Sequence, residues 1–299
     1  MKILVYGAGA IGSAIGERLS KAHEVTLMTR RPHAEAIGAN GLLVCDNQDR
    51  RRVRVPCVTS LDDLETQDVV LITTKAYDTK DACDQVAKIA DNKTIVASIQ
   101  NGLGNYEHLS RRFGRHGVAG ITSMGVTMVR PGEIRLAGAG PTLFGPFGDD
   151  AETLTNIFKE SGLEAQTSQR IFADIWKKAV INAAINPLTV IAGRSNGCIL
   201  HEPYMSLAKE ACQEAAAVAE AEGVVLNDPW QLVQEVVERT SYNKSSMLQD
   251  VERGKKTEIR QITGEIVRRA GGLGIAVPIN SALLELLLSM GRQEKKPQN

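Results

Sequence analysis

The chain has 299 residues, enough for a buried core and about two domains. Its 35 Lys plus Arg balance 35 Asp plus Glu and aromatics make up only 4 %, so it lacks both a general positive field and a base-stacking platform, which excludes nucleic acid as the main partner. No apolar stretch approaches the roughly 20 residues of a bilayer-spanning helix, and five widely spaced cysteines without a C-x-x-C pair fit reduced thiols in a cytoplasmic protein, with no disulfide framework and no metal pattern.

Met1-Lys2 and the apolar run after it imitate a signal peptide, but Gly7, Gly9 and Gly12 cut the run. A strand followed by a glycine turn is the better reading. Up to about residue 167, short β-branched runs at Lys2–Tyr6, 24–29, 69–74 and 94–99 alternate with amphipathic stretches such as 13–21 and 79–90. Continuous Val/Ile/Leu runs of this kind mark parallel strands buried on both faces, so the half reads as βαβ units. Between 118 and 147, Gly- and Pro-punctuated apolar runs predict further strands with antiparallel pairing.

After about residue 168 helical periods take over. The Ala- and Glu-rich run 203–222 is one helix; another opens at Asp228-Pro229, an N-cap acid followed by Pro in the first turn. Runs 258–270 and 281–290 complete the set, and the tail 292–299 reads as polar and frayed. The expected architecture is α/β: residues 1–167 form a Rossmann-type dinucleotide-binding domain and residues 168–299 an all-α substrate domain.

Gly7-Ala8-Gly9-Ala10-Ile11-Gly12 follows the first strand and opens a helix. In such a loop the first Gly permits the tight turn, the second lets a pyrophosphate approach the backbone, and the third allows close helix–strand packing. Free N–H groups at the helix N-terminus then receive the phosphate. The second strand runs into Thr29-Arg30-Arg31, where an NAD-preferring site would place an acid. A guanidinium suits the 2′-phosphate of NADP, so NADPH/NADP+ is the expected cofactor and Arg30 and Arg31 its contacts. Lys75 and Asn101 follow the fourth and fifth strands, the end of an α/β sheet where ligands bind; taken alone, each is equally well a surface residue or a turn.

In the helical half Lys178, Asn182 and Asn186 stand at i, i+4 and i+8, one helix face in an otherwise apolar segment, with Lys177 off that face. Apolar neighbours imply burial, and buried Lys and Asn need partners. Pro187 predicts a helix break at Asn186. Asn243-Lys244-Ser245-Ser246 precedes a helix, where an anion site and simple capping explain it equally; Glu258 is expected to start another, with helix-dipole compensation a sufficient reason. Gly193-Arg194-Ser195-Asn196-Gly197 imitates a nucleophile elbow, but no acid lies between it and the only later His, His201, so a hydrolase is excluded.

Together, loop 7–12, Thr74-Lys75-Ala76, Gln100-Asn101-Gly102-Leu103-Gly104, Trp176-Lys177-Lys178, Ile185-Asn186-Pro187-Leu188-Thr189, Ser245-Ser246-Met247-Leu248-Gln249-Asp250 and Thr257-Glu258-Ile259 resemble, in order, the motif series of the ketopantoate reductase family. The resemblance implies a Rossmann domain joined to a helical domain like that of 6-phosphogluconate dehydrogenases, and reduction of 2-dehydropantoate to pantoate on the way to coenzyme A. It implies Lys178 as general acid and Glu258 as its hydrogen-bonding partner. It implies Asn182, Asn186, Asn196, Asn243 and Ser246 as substrate ligands, with Ser246 on the carboxylate. Lys75 and Asn101 would lie by nicotinamide and substrate, Arg30 by the 2′-phosphate. The partners expected are a small 2-keto acid and, at most, a second copy, the chain being a monomer or homodimer. The alternatives are reduction of another branched 2-keto acid, an opine- or hydroxyacid-type dehydrogenase, and a non-enzymatic NADP sensor.

Overall fold

The structure, a computed structural model, describes residues 1–46, 49–146 and 148–293. The chain divides into two compact units: Met1–Gln100 with Asn105–Ile171, and Asn101–Gly104 with the chain from Phe172 onward. Most of the tail expected to fray lies outside the described residues.

In the first unit the elements run β1 (Lys2–Tyr6), α1 (Ala10–Leu19), β2 (Glu24–Met28), α2 (Arg31–Asn40), β3 (Leu42–Cys45), β4 (Arg50–Val53), β5 (Cys57–Val58), β6 (Val69–Ile72), α3 (Thr79–Val86), β7 (Ile95–Ser98), α4 (Asn105–Phe113), β8 (Gly117–Thr122), β9 (Gly125–Arg130), β10 (Glu133–Gly138), β11 (Thr142–Gly145), α5 (Asp149–Glu160) and β12 (Ala165–Thr167). The main sheet has the order β12-β11-β8-β7-β6-β1-β2-β5. From β8 to β5 every pairing is parallel; β11 then runs antiparallel to β8, with β12 parallel to β11.

Alternation across the central strands builds two apolar layers. Ile3, Val5, Val69 and Leu71 pack on one face with Leu27 and Ile15; Leu4, Tyr6, Val70, Ile72 and Val96 pack on the other with Val86 and Leu109. Burial on both faces is the reason these strands read as unbroken apolar runs. The strand order reverses between β1 and β6, because β1 leads to β2 on one side while β6 continues on the other. With the β3–β4 hairpin set aside, the parallel strands follow the doubly wound order, whose switch point lies between those two strands.

A second sheet, β4-β3-β10-β9, was not expected from the sequence for its β3 and β4 members. It is tied to α1 by an ion pair: Arg51 on β4 donates through Nε and Nη2 to both oxygens of Glu17, at 3.0 and 3.1 Å. Glu17 is 1 % exposed and needs that fork, since an unpaired buried carboxylate is costly.

In the second unit α6 (Ile171–Ala192) is followed by a short 3₁₀ turn (Asn196–Leu200), then α7 (Tyr204–Ala221), α8 (Pro229–Arg239), α9 (Ser246–Glu252), α10 (Thr263–Leu273) and α11 (Pro278–Gln293). Asp228 caps α8 by accepting from the Gln231 amide, as its position before Pro229 predicts. Glu214 of α7 caps α11, accepting from the amides of Ile279 and Asn280.

Two expectations are corrected here. Pro187 does not end its helix: α6 continues to Ala192. Ile185, Leu188 and Val190, on either side of the Pro, are all in the unit's core, and that packing outweighs the lost helical hydrogen bond. Glu258 does not start a helix. It sits in a turn whose carbonyl accepts from the amides of Gln261 and Ile262, and α10 begins only at Thr263.

Replacing Glu17 by Ala removes the fork and leaves the Arg51 guanidinium the Asp46 carboxylate, 3.3 Å from its Nη1. We expect a loss of about 1–2 kcal/mol in urea unfolding, less than for a buried charge left without a partner, because Asp46 and water still meet the Arg51 charge.

Candidate active site

The site's first half is built where β1 and β6 end. Gly7 has φ +85°, and a Cβ there would collide with Thr74 beyond β6, so only glycine permits this approach. A Cβ on Gly12 would likewise strike Thr73, whose hydroxyl donates to the Gly7 carbonyl at 3.1 Å. Gly9 differs: nothing lies within 3.8 Å of where its Cβ would be. Its missing side chain therefore serves no internal packing and leaves the backbone there open. No side chain caps α1, whose N-terminus opens onto that backbone at Ala10 and Ile11. An uncapped N-terminus beside backbone that a Cβ would cover has the chemistry of a phosphate site.

Arg30 and Arg31 are not the end of a strand. β2 stops at Met28, Arg30 is the N-cap of α2 and Arg31 its first residue. Cations at the positive end of a helix, with no acid in the first turn and no side-chain cap, are unfavourable unless an anion joins them. The two arginines differ in availability: Arg31 donates to Glu35 at 2.7 Å, whereas Arg30 is exposed and makes no ion pair among the described residues.

Lys75 follows β6 and is half-buried. The peptide before it is held by Gln100, whose Nε2 donates to the Thr74 carbonyl and hydroxyl, both at 3.0 Å. Gln100 Oε1 in turn accepts from the Ser98 hydroxyl. A surface cavity of about 480 Å³ lined by Ala87, Arg112, Phe113 and Arg115 lies by the leading ends of β7 and β8, the opposite end of the sheet from this loop.

The second half belongs to the helical unit. α6 is buried on most of its circumference, and its polar stripe does not face bulk water: Asn186 is 3 % exposed and Lys178 and Asn182 are half-buried, while Lys177, off the stripe, is exposed. Burial pushes the Lys178 ammonium down to about 8, and the Glu258 carboxylate opposes that fall. Glu258 is itself 5 % exposed and lies outside the first turn of α10, so helix-dipole compensation does not account for it.

The Glu258 turn brings Asn101 to the same unit. Leu103 donates its amide to the Gln261 carbonyl at 3.0 Å and buries its side chain in the core of the helical unit. Gly102, at φ +87°, would place a Cβ 2.5 Å from that carbonyl, so glycine is required for the docking.

Asn196 and Asn243 are joined through the backbone, the Asn196 amide donating to the Asn243 carbonyl at 2.9 Å. The supposed elbow containing Asn196 is a helix exit into a 3₁₀ turn, with no strand before it. Ser246 is exposed at the start of α9, and the cap is its neighbour: Ser245 Oγ accepts from the Leu248 amide and lies 2.7 Å from the Thr189 hydroxyl. Ser245 and Thr189 were not singled out from the sequence, where two adjacent serines look alike. Asn186 Nδ2, Asn196 Oδ1, Gln261 Oε1 and Thr263 Oγ1 are buried without a hydrogen-bond partner among the described residues. Orphaned polar atoms of this kind mark positions where a polar ligand or water belongs.

A dinucleotide-type loop at the switch point of a Rossmann-type unit, followed by an all-α unit holding a lysine of lowered pKa, defines the class of two-unit oxidoreductases. The match to known proteins is more specific. The family model of ketopantoate reductase PanE/ApbA covers residues 3–149 and that of its C-terminal part residues 170–290, and the chain belongs to this family. It is 35 % identical to the 2-dehydropantoate 2-reductase of Pyrococcus horikoshii over 96 % of both chains. The crystal structure of a PanE/ApbA family ketopantoate reductase from Ralstonia eutropha JMP134 superposes with a TM-score of 0.93 at 30 % identity, covering 99 % of this chain and 100 % of that one. D-mandelate dehydrogenase, solved with NADH and anilino(oxo)acetate, gives 0.92 at 26 % identity, with 98 % and 99 % coverage. No helix among the described residues is long and apolar enough to cross a membrane, and no group of His, Cys, Asp or Glu among them has the arrangement of a metal site.

The Lys178–Glu258 pairing predicts a measurable titration. With lysine amines dimethylated by ¹³C-formaldehyde, the Lys178 resonance should titrate near 8. In Glu258→Gln it should titrate lower, because the one group that opposes desolvation has been neutralised.

Proposed function

We propose that this chain reduces 2-dehydropantoate to pantoate with NADPH, a step toward pantothenate and coenzyme A. Its family membership and its relatives' activity support the reaction. The observation that carries the reading is Lys178: a cation poised at about 8, half-buried in an apolar helix and set against a buried carboxylate, has the properties of a general acid at neutral pH.

The nicotinamide cofactor, when bound, supplies hydride to the ketone carbon. Loop 7–12 would hold its pyrophosphate at Gly7, Ala8, Gly9, Ala10, Ile11 and Gly12, using the open patch at Gly9 and the uncapped start of α1. Arg30 would take the 2′-phosphate, with Arg31 held back by Glu35 as the lesser contact. Lys75 and Asn101 would orient the nicotinamide and the substrate.

Lys178 would give its proton to the ketone oxygen as negative charge develops there, and Glu258 would hold the ammonium in place and keep it charged. Below a pH of about 8 Lys178 carries the proton it must deliver, and reduction should weaken as the pH rises through that value. Asn182, Asn186, Asn196, Asn243 and Ser246 would hold the carboxylate and terminal hydroxyl. The orphaned Asn186 Nδ2 and Asn196 Oδ1 support this, because a ligand hydroxyl both accepts and donates. Reduction of another branched 2-keto acid is a second reading, favoured by the likeness to D-mandelate dehydrogenase.

Comparing kcat/KM for 2-dehydropantoate and for the same keto acid without its terminal hydroxyl separates the two. A site built to bind the hydroxyl should reject the deoxy compound by up to about 10⁴-fold. Comparable values would favour the second reading.

The cofactor assignment has its own test. Arg30→Ala should raise the KM for NADPH by about tenfold or more and leave that for NADH nearly unchanged, as expected for a lost charge-assisted contact. Arg31→Ala should have a smaller effect. A wild-type preference for NADH would end the assignment.

A further inference from the structure

Arg30 lies between two tethers that lead to one atom, the carbonyl oxygen of Ala8 in the glycine loop. On one side the hydroxyl of Thr29, the residue just before Arg30, donates to that carbonyl at 3.0 Å. On the other side His33, in the first turn of α2, has its Nε2 3.0 Å from Ser13 Oγ, and Ser13 Oγ donates to the same carbonyl at 3.4 Å. The His33 amide also donates to the Arg30 carbonyl at 2.9 Å.

The imidazole's other nitrogen fixes its chemistry. Nδ1 accepts from the Gly132 amide in the β9–β10 turn at 2.8 Å, so Nε2 carries the proton and donates to Ser13. The ring is 4 % exposed and Ser13 fully buried, and burial holds the imidazole below its ordinary value, in keeping with the neutral form that this pattern requires. A buried hydrogen-bond chain of this kind is rigid, since every member is satisfied by the next. It links the second sheet, the start of α2 and the loop after β1.

We infer that His33, acting through Ser13, is a positioning residue for cofactor discrimination: it fixes the reach from the loop that receives the pyrophosphate to the guanidinium of Arg30 that receives the 2′-phosphate. This inference rests on the assignment of loop 7–12 and Arg30 to NADPH. An arginine on an exposed helix tip loses side-chain entropy when it binds, and a tip that also moves relative to the loop adds to that cost. His33 touches neither phosphate in this account. Its contribution is to hold the backbone that carries Arg30, and it therefore acts on NADPH far more than on NADH, which has no 2′-phosphate to reach.

The experiment measures dissociation constants for NADPH and NADH by fluorescence titration, with thermal unfolding alongside, for the wild type and for Arg30→Ala, Ser13→Ala, His33→Leu, His33→Gln and the Ser13→Ala/His33→Leu double variant. Ser13→Ala and His33→Leu should each cut the NADPH-over-NADH preference by about five- to tenfold, the effect of one lost buried hydrogen bond. The double variant should fall no further than the worse single, since both break one chain. His33→Gln, whose amide reaches the Nε2 position, should keep the preference within about twofold of wild type.

Equal weakening of both cofactors, with a lower melting temperature, would overturn the inference and leave His33 a purely structural residue. Should His33→Leu fail to fold, Ser13→Ala, which removes one oxygen, decides alone. The two readings fail separately: a preference that depends on Arg30 but not on Ser13 or His33 sinks only this inference. A wild type without preference for NADPH, or one whose preference survives Arg30→Ala, sinks the cofactor assignment and this inference with it.

Discussion

Taking the Lys178 ammonium partly out of water in an apolar helix is the constraint from which the helical unit's arrangement follows. Such a cation is destabilising unless a carboxylate is brought to it, and Glu258 is that carboxylate. To be buried, Glu258 must leave the solvent-facing surface of a helix, and it does so in a turn ahead of α10. That turn presents the Gln261 carbonyl outward from its own hydrogen bonding. The carbonyl is satisfied by the Leu103 amide, from a segment that enters between β7 and α4. Gly102 is what lets the two backbones meet. One desolvated charge thus accounts for a turn, a buried acid and the chain's brief excursion from the first unit into the second.

On the proposed reading, the first unit would solve a different problem, the holding of a cofactor's phosphates without a buried cation. Its means are backbone amides and helix ends: an uncapped α1, an open patch at Gly9, and a second uncapped helix carrying arginines. Such a site works only if the two helix starts keep a fixed separation. The Ala8 carbonyl, receiving Thr29 and Ser13, is the place where that separation is set. The second sheet acquires a purpose in this light, since its Gly132 turn completes the hydrogen bonding of His33, and its Arg51 neutralises Glu17 on α1.

Membership of the ketopantoate reductase family joins these two halves into one chemical task. On the proposed reading, the helical unit would contribute Lys178 as the acid, and its buried amides would bind the substrate. The Rossmann-type unit contributes the dinucleotide loop. On that reading, the ammonium would meet the developing charge on the ketone oxygen directly.

Features that depend on near neighbours were legible along the chain. The apolar runs of β1, β6 and β7 were legible because burial on both faces leaves little room for polar residues, β2 from its β-branched run, and the glycine loop because its spacing follows from a single turn. The Lys178, Asn182, Asn186 face was legible from helical periodicity, and the α8 cap from Asp228-Pro229. Tertiary structure decided what depends on distant partners. Pro187 stays inside α6 because core packing, invisible locally, outweighs a missing amide. β3 and β4 were missed because four-residue strands on a small second sheet have too little periodicity to read. Ser245 rather than Ser246 is the buried cap, and Arg30 rather than Arg31 is the available guanidinium. Adjacent like residues differ only in what the fold sets beside them: Thr189 beside one, Glu35 beside the other.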